Sequence, residues 1–366
     1  MYGDKVGGIV GYATSIAVDD CDVKNSTITG YRDLGGIGGC LEGTYHSSVT
    51  NCSVDNVTIT IDNTHNYKNF TSIAQHNVGD YIGRNINNAI DTNNTGTATV
   101  ISLVTVSTAE ELSSALNATY SSNTIIKLAN DIDLTGIDWP ACNLNSSNGA
   151  TVTFDGNNKT ITGLNATNDY VYGYNAYGLI ANIGTCNVEI KNLTVSGATV
   201  TAPAGGNYLD TAGVIVGYYM PWPGTLTFTN CKVVNCTVNS NMYAAGLVGY
   251  IGGGTQPENK VVINNCEVSN CEFNGNDATG ALVGLNYHVT TINGATVTGN
   301  NINGGAGYSA AALVGTSFVG TTATGVNASS NNFGITNTTG YQVNNATFGY
   351  IYKNGQTYSV NGTELN

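Results

Sequence analysis

Charged residues are scarce in this 366-residue chain: they make up 10% of it, against roughly 25% in an average soluble domain. Arginine occurs only twice, at Arg32 and Arg84, and the net charge is −13. Because nucleic-acid binding depends on clustered lysine and arginine, this composition predicts no nucleic-acid partner. An anionic membrane surface is disfavoured for the same reason. No run of about 18 apolar residues occurs, so we also expect no membrane insertion.

What is present indicates an ordered chain rich in β-structure. Apolar residues make up 41% of the sequence, which includes 22 tyrosines and 47 glycines, and valine, isoleucine and threonine are abundant. A disordered chain would instead show high charge and few β-branched or aromatic residues. With 366 residues the chain can bury a large core, either as one elongated unit or as two domains.

A short glycine phrase recurs along the chain, and its spacing is the strongest signal of organisation. Examples are GIVGY at 8–12, GVIVGY at 213–218, GLVGY at 246–250 and ALVG at 281–284 and 312–315. The closing glycines are 31 to 35 residues apart in the C-terminal part, namely Gly184, Gly217, Gly249, Gly284, Gly315 and Gly349, and Gly11 and Gly39 are 28 apart. A period near 32 with little scatter predicts a solenoid of stacked repeats.

Each repeat has the composition of extended structure. The runs TLTFT at 225–229 and KVVIN at 260–264 are alternating or β-branched and are bounded by Asn and Gly. Apolar residues at helical spacing are absent, and the Gly, Thr and Asn content excludes helical repeats of similar period. Each repeat is therefore predicted to be one coil of a parallel β-helix, with a strand ending in the glycine phrase, a variable loop, and two short strands separated by an Asn.

One segment departs from this pattern. STAEELSSAL at 107–116 has a capping-box arrangement of Ser107 and Glu110, with Leu112 and Leu116 four residues apart. A lone amphipathic helix ahead of a first coil closes the open end of a β-helix, where bare strand edges would invite pairing. The sequence thus predicts a short capping helix near 107–117 and two domains: N-terminal coils over 1–100, with nothing capping their start, and a capped solenoid over 101–366.

A family resemblance rests on these motifs. The order TAEEL, IIKLANDIDLTG and FDGNNKTITGL, followed by AGLVGY-type phrases, resembles the right-handed β-helix surface proteins of microbes that carry GLUG-type repeats. Those proteins share the pectate-lyase-like fold. The resemblance covers nearly the whole chain and implies an all-β, right-handed parallel β-helix in an extracellular or cell-surface setting, often with an adhesive role. Its motifs are structural, so it implies no activity.

Two matched cysteine pairs, in NCKVVNCTV at 230–238 and NCEVSNCEF at 265–273, raise the question of a metal site. When the coils are aligned, Cys231 and Cys266 share a column with Leu193, Ala295 and Val326, and Cys236 and Cys271 share one with Ala198, Asn300 and Asn331. A column that accepts Leu, Ala and Val is an inward-facing core position, where a free cysteine acts as a small hydrophobe. We therefore expect reduced, stacked thiols. Zinc or iron–sulfur binding and disulfides at Cys231–Cys266, Cys236–Cys271 and Cys21–Cys52 stay open as alternatives.

An asparagine precedes each of these coil positions for a backbone reason. Asn192, Asn230 and Asn265 align at the point where one strand turns into the next. Asparagine tolerates the left-handed conformation that such a bend needs, and stacked amides can hydrogen-bond from coil to coil. The sequence predicts a structural role for this column.

Enzymes of the pectate-lyase-like fold provide the catalytic alternative. The resemblance implies, for lyases, calcium-binding Asp residues beside an Arg base, and for hydrolases, three carboxylates with a His and a basic residue. From 101 to 366 the chain has no Arg and a single histidine, His288, and its aspartates do not recur in one column of adjacent coils. Those aspartates are Asp131, Asp133, Asp138, Asp155, Asp169, Asp210 and Asp277. We predict no catalytic residue and no cofactor.

Metal binding has one further candidate in the N-terminal coils. Asp19, Asp20 and Asp22, with Asp55 one coil away, could hold calcium weakly, but as a solvated bend they need no ion. Asp131 and Asp133 are expected to form turn and strand-end hydrogen bonds. We predict no metal site.

Aromatic loops are the remaining surface signal. GYYMPWPG at 217–224 places Tyr218, Tyr219 and Trp222 in one predicted loop, and DYVYGYNAYG at 169–178 adds Tyr172 and Tyr174. Aromatic side chains suit sugar rings or a protein hot spot. Alternatively, these loops fold back and cover the solenoid.

The resulting prediction is a non-enzymatic extracellular surface protein, an adhesin or structural stalk, with a cell-surface glycan or protein as partner. The alternatives are a polysaccharide lyase or hydrolase of the same fold, or a glycan-binding module that uses the aromatic loops. No secretory leader is visible after Met1, which suggests a trimmed or partial start. The uncapped glycine phrases near both ends also predict head-to-tail self-association, which does not close and would form filaments.

Overall fold

The computed structural model describes residues 3–62, 77–167, 170–171, 175–184, 187–202, 210–220, 224–252, 260–304, 309–335, 348–352 and 355–365. The chain divides into two compact units, residues 1–105 with 122–125, and residues 106–121 with 126–366. Within the described ranges, no helix has the length and apolar character needed to cross a membrane.

The first unit consists of stacked parallel strands around its own core. Its strands are β1 (Gly3–Gly7), β2 (Val10–Ala13), β3 (Ala17–Asp19), β4 (Asp22–Gly35), β5 (Gly38–Glu42), β6 (Ser48–Thr50), β7 (Ser53–Asp62), β8 (Asn77–Gly79), β9 (Ile82–Ile86), β10 (Ile90–Thr92) and β11 (Thr99–Val106), with a 3-10 helix at Gly43–Tyr45. Strand β4 pairs in parallel with β1 and β7, and β5 with β2 and β9. Leu34, Ile37, Val54 and Ile59 lie in the shared core.

The second unit begins with the helix α1 (Ala109–Leu116) and continues as strands alone. These are β12 (Thr119–Tyr120), β13 (Thr124–Leu128), β14 (Ile132–Asp133), β15 (Asn143–Ser146), β16 (Thr151–Thr162), β17 (Asn165–Ala166), β18 (Tyr170–Val171), β19 (Asn175–Tyr177), β20 (Ile180–Ile183), β21 (Asn187–Ser196), β22 (Thr199–Thr201), β23 (Asp210–Gly213), β24 (Val216–Tyr219), β25 (Thr225–Thr229), β26 (Lys232–Val234), β27 (Thr237–Ser240), β28 (Tyr243–Ala245), β29 (Val248–Ile251), β30 (Lys260–Asn264), β31 (Glu267–Ser269), β32 (Glu272–Gly275), β33 (Thr279–Gly280), β34 (Val283–Asn286), β35 (Val289–Asn293), β36 (Thr296–Thr298), β37 (Asn301–Gly304), β38 (Ala310–Ala311), β39 (Val314–Ser317), β40 (Thr321–Thr324), β41 (Asn327–Ser329), β42 (Asn332–Ile335), β43 (Phe348–Ile351), β44 (Tyr358–Val360) and β45 (Thr363–Glu364).

Corresponding strands of successive coils pair in parallel and in register, which confirms the predicted parallel β-helix. In the second unit, the strands that carry the glycine phrase belong to one eight-stranded sheet, here called the glycine-phrase sheet, which consists of β12, β15, β20, β24, β29, β34, β39 and β43. Within the coil that begins at β25, Leu226, Phe228 and Val233 are fully buried, while the threonines beside them are only partly covered. Burial of one such large side chain stabilises the fold by about 1.5–3 kcal/mol.

The capping helix is present, but its capping box lies one residue later than predicted. Thr108 is the N-cap: its side chain accepts a hydrogen bond from the Glu111 amide, and the Glu111 carboxylate accepts one from the Thr108 amide. The predicted pair of Ser107 and Glu110 is therefore wrong. Leu112 and Leu116 are fully buried, as predicted, together with Ala115.

The cysteine columns are confirmed by strand register. Lys232 pairs with Glu267 and Thr237 with Glu272, which aligns Cys231 with Cys266 and Cys236 with Cys271. All four side chains are buried, and the eight cysteines that the structure describes carry free thiols.

The second cysteine column has a hydrogen-bonding role that the sequence did not predict. Each side chain accepts a hydrogen bond from the backbone N–H of its counterpart in the preceding coil. The Cys236 amide donates to Cys271 Sγ at 3.3 Å, and the Cys271 amide donates to Asn300 Oδ1 at 2.9 Å. The Asn300 amide in turn donates to Asn331 at 3.1 Å. Cysteine and asparagine share this column because both supply a short acceptor to an otherwise unsatisfied buried N–H.

The asparagine bends also have the predicted conformation. Asn192, Asn230 and Asn265 have φ of 51°, 54° and 51°, and the next position in the column is Gly294 with φ of 73°. The Asn230 side-chain amide donates to Asn192 Oδ1 at 3.2 Å. Left-handed backbone is tolerated by asparagine and glycine, so these residue types are required by the bend.

Candidate ligand-binding cleft

A column of tyrosines runs along the glycine-phrase sheet at the position after each closing glycine. The strand register aligns Tyr218, Tyr250, Leu285, Thr316 and Tyr350 from coil to coil. In two successive coils the tyrosine of this tyrosine column is thus replaced by a smaller residue, first Leu285 and then Thr316. The missing rings leave space beside the sheet.

That space is a cleft of about 260 Å³, which lies entirely within the second unit. Its lining comes from the tyrosine column, from the position two residues further along each coil, and from the neighbouring strand and loop. The residues that define the cleft are Tyr243, Asp277, Leu285, Tyr287, Ser309, Thr316, Phe318, Tyr350 and Tyr352. Tyr352 is 44% exposed, so the cleft is open to solvent on that side.

The aromatic rings around the cleft are inclined to one another. Tyr287 and Phe318 stack face to face, with ring centroids 4.6 Å apart and planes 8° apart. Phe318 makes an angle of 62° with Tyr350 at 6.4 Å and of 43° with Tyr352 at 5.9 Å. Tyr250 meets Tyr287 edge-on at 6.0 Å. Such offset-stacked and edge-to-face pairs contribute about 0.5–1.5 kcal/mol each beyond their burial, so the lining is held in place.

A glycine makes room for this arrangement. Gly252 occupies the position two residues after Tyr250, where the next coils carry Tyr287 and Phe318. A Cβ atom there would lie 2.8 Å from the Tyr250 ring and 2.9 Å from the Tyr218 ring. The tyrosine column therefore leans over Gly252, and the rings of Tyr218 and Tyr250 pack with centroids 5.0 Å apart.

One carboxylate belongs to the cleft. Asp277 is half-buried and accepts a hydrogen bond from the Tyr243 hydroxyl. Burial raises the pKa of Asp277 to about 6, and the hydrogen bond from Tyr243 opposes this shift only in part. Burial, followed by the charge of Asp277, raises the pKa of Tyr243, which stays a neutral donor. On the opposite wall the hydroxyls of Ser309 and Thr316 are hydrogen-bonded to each other at 2.6 Å.

Tyr218 and Tyr219, singled out in the sequence, are not among the residues that line the cleft. They belong to strand β24 and are buried, so the prediction that they sit in a loop is wrong. The glycine phrase extends through both tyrosines as a strand, and their rings pack against neighbouring coils. Trp222, Tyr172 and Tyr174 lie outside the described residues. The signal that could have located the cleft was the exchange of tyrosine for Leu285 and Thr316 in the repeat.

The other candidate groups are engaged in structural contacts. Asp19 accepts hydrogen bonds from Thr50 at 2.6 Å and Asn51 at 2.8 Å, and these bonds lower the pKa of its carboxyl. Asp22 accepts one from Ser53 and pairs with Lys24. These carboxylates thus tie one coil to the next.

Aspartates of the cap and the buried histidine have similar roles. Asp131 accepts from the Thr160 amide at 2.7 Å and Asp133 from the Thr135 amide at 2.9 Å, which confirms the expected strand-end bonding. His288 is buried with Nε2 3.1 Å from the Gly252 carbonyl, and burial lowers its pKa. Across the part of the chain that the structure describes, no three His, Cys, Asp or Glu side chains are grouped to hold a metal ion.

Geometry and sequence comparison together define the class: a parallel β-helix solenoid that carries an aromatic cleft on one sheet. Residues 103–218 match the family described as "Putative pectate lyase-like adhesive domain", and residues 30–60 match the GLUG motif. The two matches, each over its own part of the chain, confirm the resemblance to pectate-lyase-like and GLUG-containing proteins that the sequence motifs indicated.

No protein of curated function matches the sequence. One solved structure, titled "Crystal structure of a putative immunoglobulin A1 protease from Bacteroides ovatus", is 14% identical, with 72% of this chain and 78% of that chain covered at a TM-score of 0.37.

Proposed function

We propose that the protein is a non-enzymatic, extracellular or cell-surface adhesin whose ligand binds in the cleft of the glycine-phrase sheet. The observation that carries this proposal is the cleft itself, a preformed concave site whose aromatic walls also present hydroxyl groups and one carboxylate. The match of residues 103–218 to an adhesive domain supports the same role. The stacked coils supply a rigid scaffold that holds the lining residues in fixed register.

The composition of the cleft argues for binding without catalysis. Cleavage of a glycosidic bond generally uses two carboxylates on either side of the bond. Among the residues that the structure describes, Asp277 is the single carboxylate that lines the cleft, and no Lys, Arg or His lines it. A lyase or hydrolase reaction at this site would need a second carboxylate or a basic group from elsewhere.

Adhesion can be tested with beads coated with the purified chain and applied to mammalian cells and intact bacteria under flow. A Leu285→Tyr variant restores the tyrosine column and fills the cleft, so its beads should wash off where wild-type beads stay. Tyr12→Ala is the matched control, because Tyr12 is 49% exposed in the first unit and far from any described cleft residue in sequence. Equal retention of wild-type and Leu285→Tyr beads would contradict the proposal.

The enzymatic alternative needs its own assay. The chain is incubated with acidic and neutral polysaccharides, and new reducing ends and unsaturated products are measured. We expect no turnover above a heat-treated sample. Turnover that disappears in Asp277→Asn would replace the adhesin proposal by an enzyme.

Head-to-tail assembly into filaments is a separate part of the proposal. Its motivation is the repeat itself, in which each coil pairs in parallel and in register with the next, and it is tested by sedimentation velocity and electron microscopy across a concentration series. The antiparallel pairing of Ser359 with Glu364 and of Val360 with Thr363 already occupies one edge of β44. A second copy that extends the stack would therefore have to pair first with strands of the other sheets. A monodisperse monomer at high concentration would refute assembly.

A further inference from the structure

The cleft combines features that suit a positively charged organic group. Five aromatic side chains surround it, and Asp277 contributes one negative charge. Aromatic rings carry a negative face, which attracts cations placed within about 6 Å of the ring centre. Among the residues that the structure describes, no lysine or arginine lines the cleft. The net charge of −13 also favours the approach of a cation over that of an anion.

The ring geometry favours a cation over a sugar ring. A sugar stacks best on a flat, accessible aromatic face. Here the one coplanar pair, Tyr287 and Phe318, stack on each other at 4.6 Å, which hides the two faces between them. The remaining rings meet Phe318 at 62° and 43°, so the lining has the inclined walls of a cage.

The lining favours a cation that carries methyl groups. A primary ammonium is bound best by several acceptors directed at its N–H groups. Here the hydroxyls of Ser309 and Thr316 are directed at each other at 2.6 Å and Asp277 accepts from Tyr243, while five of the nine described lining residues are aromatic. A quaternary ammonium asks only for a carboxylate nearby and apolar contact on its methyl groups. The volume of the cleft also suits a small head group. It is about 260 Å³, below the roughly 300–1,000 Å³ that is typical of sites for drug-sized ligands.

We propose that the cleft binds a quaternary ammonium head group, with Asp277 as its counter-ion and the rings of Tyr287, Phe318, Tyr350 and Tyr352 around its methyl groups. This inference rests on the proposed function, because it names the ligand class of the same cleft. The partner surface would then be one that displays trimethylammonium groups. Attraction between the bound cation and the carboxylate of Asp277 would offset part of the cost of desolvating that carboxylate.

The probe is tetramethylammonium chloride, titrated into the full chain by calorimetry at constant ionic strength, with sodium chloride, ammonium chloride and methyl glucoside as comparison solutes. We expect saturable binding of tetramethylammonium alone. Asp277→Asn should weaken binding about tenfold or more, and Phe318→Ala about fivefold. Leu285→Tyr should abolish it. Tyr12→Ala should leave it unchanged, because the Tyr12 ring already holds Lys5 Nζ at 4.1 Å from its centroid.

The pH dependence of binding is an independent test of the proposal. Tetramethylammonium binding should strengthen as the pH rises through about 6, where Asp277 loses its proton, and this dependence should vanish in Asp277→Asn. Among the described lining residues, Asp277 is the one that carries a carboxylate, and none carries an imidazole. Circular dichroism and urea unfolding of each variant show whether a loss of binding comes from misfolding.

The outcomes separate this inference from the proposed function. No saturable binding of tetramethylammonium by the wild type, or unchanged binding in Asp277→Asn and Phe318→Ala, would overturn the cation proposal. Binding of methyl glucoside that Leu285→Tyr abolishes would keep the cleft as the adhesive site and assign it to neutral sugars. Loss of bead adhesion in Leu285→Tyr without binding of either probe would keep the site and exclude both ligand classes.

Discussion

Substitutions of Asn230 separate the two contributions that asparagine makes at the coil bend. Asn230 has φ of 54°, and its side-chain amide donates to Asn192 Oδ1 at 3.2 Å on an exposed part of the bend. Asn230→Ala removes the amide bond and places a Cβ-bearing residue with no local hydrogen bond in left-handed backbone. Asn230→Gly removes the same bond but relieves the backbone. The difference between the two variants therefore measures the conformational requirement.

The magnitudes follow from general costs. A left-handed L-residue costs roughly 1–2 kcal/mol, and an intramolecular hydrogen bond contributes about 0.5–1.5 kcal/mol, at the low end when it is exposed. Asn230→Ala should therefore lower the free energy of unfolding by about 2 kcal/mol. Asn230→Gly should lower it by about 1 kcal/mol, from the lost bond and the greater freedom of glycine in the unfolded chain.

Urea unfolding followed by tyrosine fluorescence measures the change in the free energy of unfolding. Hydrogen exchange of the Asn230 backbone amide, which donates to the Asn264 carbonyl at 2.9 Å, measures the change in the stability of the bend itself. Gly294→Ala is the matched control in the same column, where φ is 73° and a Cβ would lie 2.5 Å from Asn265 Oδ1. If Asn230→Gly destabilises as much as Asn230→Ala, left-handed backbone is not what selects asparagine here.

Three further outcomes are expected. Phe228→Ala should lower the free energy of unfolding by about 3–5 kcal/mol in urea titrations, because the ring is fully buried and leaves a cavity; a loss below about 1 kcal/mol would contradict the packing. Iodoacetamide at about pH 8 should modify the partly exposed Cys21 in native protein but not the buried Cys142, because burial raises the pKa of the Cys142 thiol to about 12. Peptide mapping shows which of the two cysteines is modified. Because the pKa of Asp277 is raised to about 6, the folded state binds this proton more tightly than the unfolded chain. Stability should therefore fall as the pH rises from about 4 to about 6, and Asp277→Asn should remove that part of the pH profile in urea titrations.

The fold was predictable because its requirements repeat. A β-helix needs glycine, asparagine and small apolar residues at fixed places in each coil, so a period near 32 carries the same information many times. The capping helix was found but its box was misplaced by one residue. Two adjacent hydroxyl residues, Ser107 and Thr108, each have a glutamate three positions later, and local sequence cannot distinguish them.

The candidate site was not predictable by the same route, because it is defined by a departure from the repeat. The aromatic composition of the segment around Tyr218 and Tyr219 predicted a ligand-binding loop there. Both rings are buried: Tyr218 packs on Tyr250 of the next coil, and Tyr219 aligns with Ile183 and Ile251 of the coils on either side. The described cleft lies where Leu285 and Thr316 interrupt the tyrosine column. Recognising it requires the coil-to-coil register, which places Tyr243, Asp277 and Tyr352 around the gap.

The closing glycines have a consequence for how such a surface can vary. A Cβ at Gly284 would lie 2.4 Å from the Gly249 carbonyl oxygen, and one at Gly315 would lie 2.6 Å from the Thr279 amide nitrogen. A side chain is thus sterically excluded at the closing glycine. The residue that follows it is not restricted in this way, since Tyr, Leu and Thr all occur there. Each coil can therefore present a different side chain to a ligand without a change of backbone, in steps of about 4.8 Å along the stack. Exchanging or inserting whole coils would alter the length and chemistry of the recognised group while the coils on either side keep their structure.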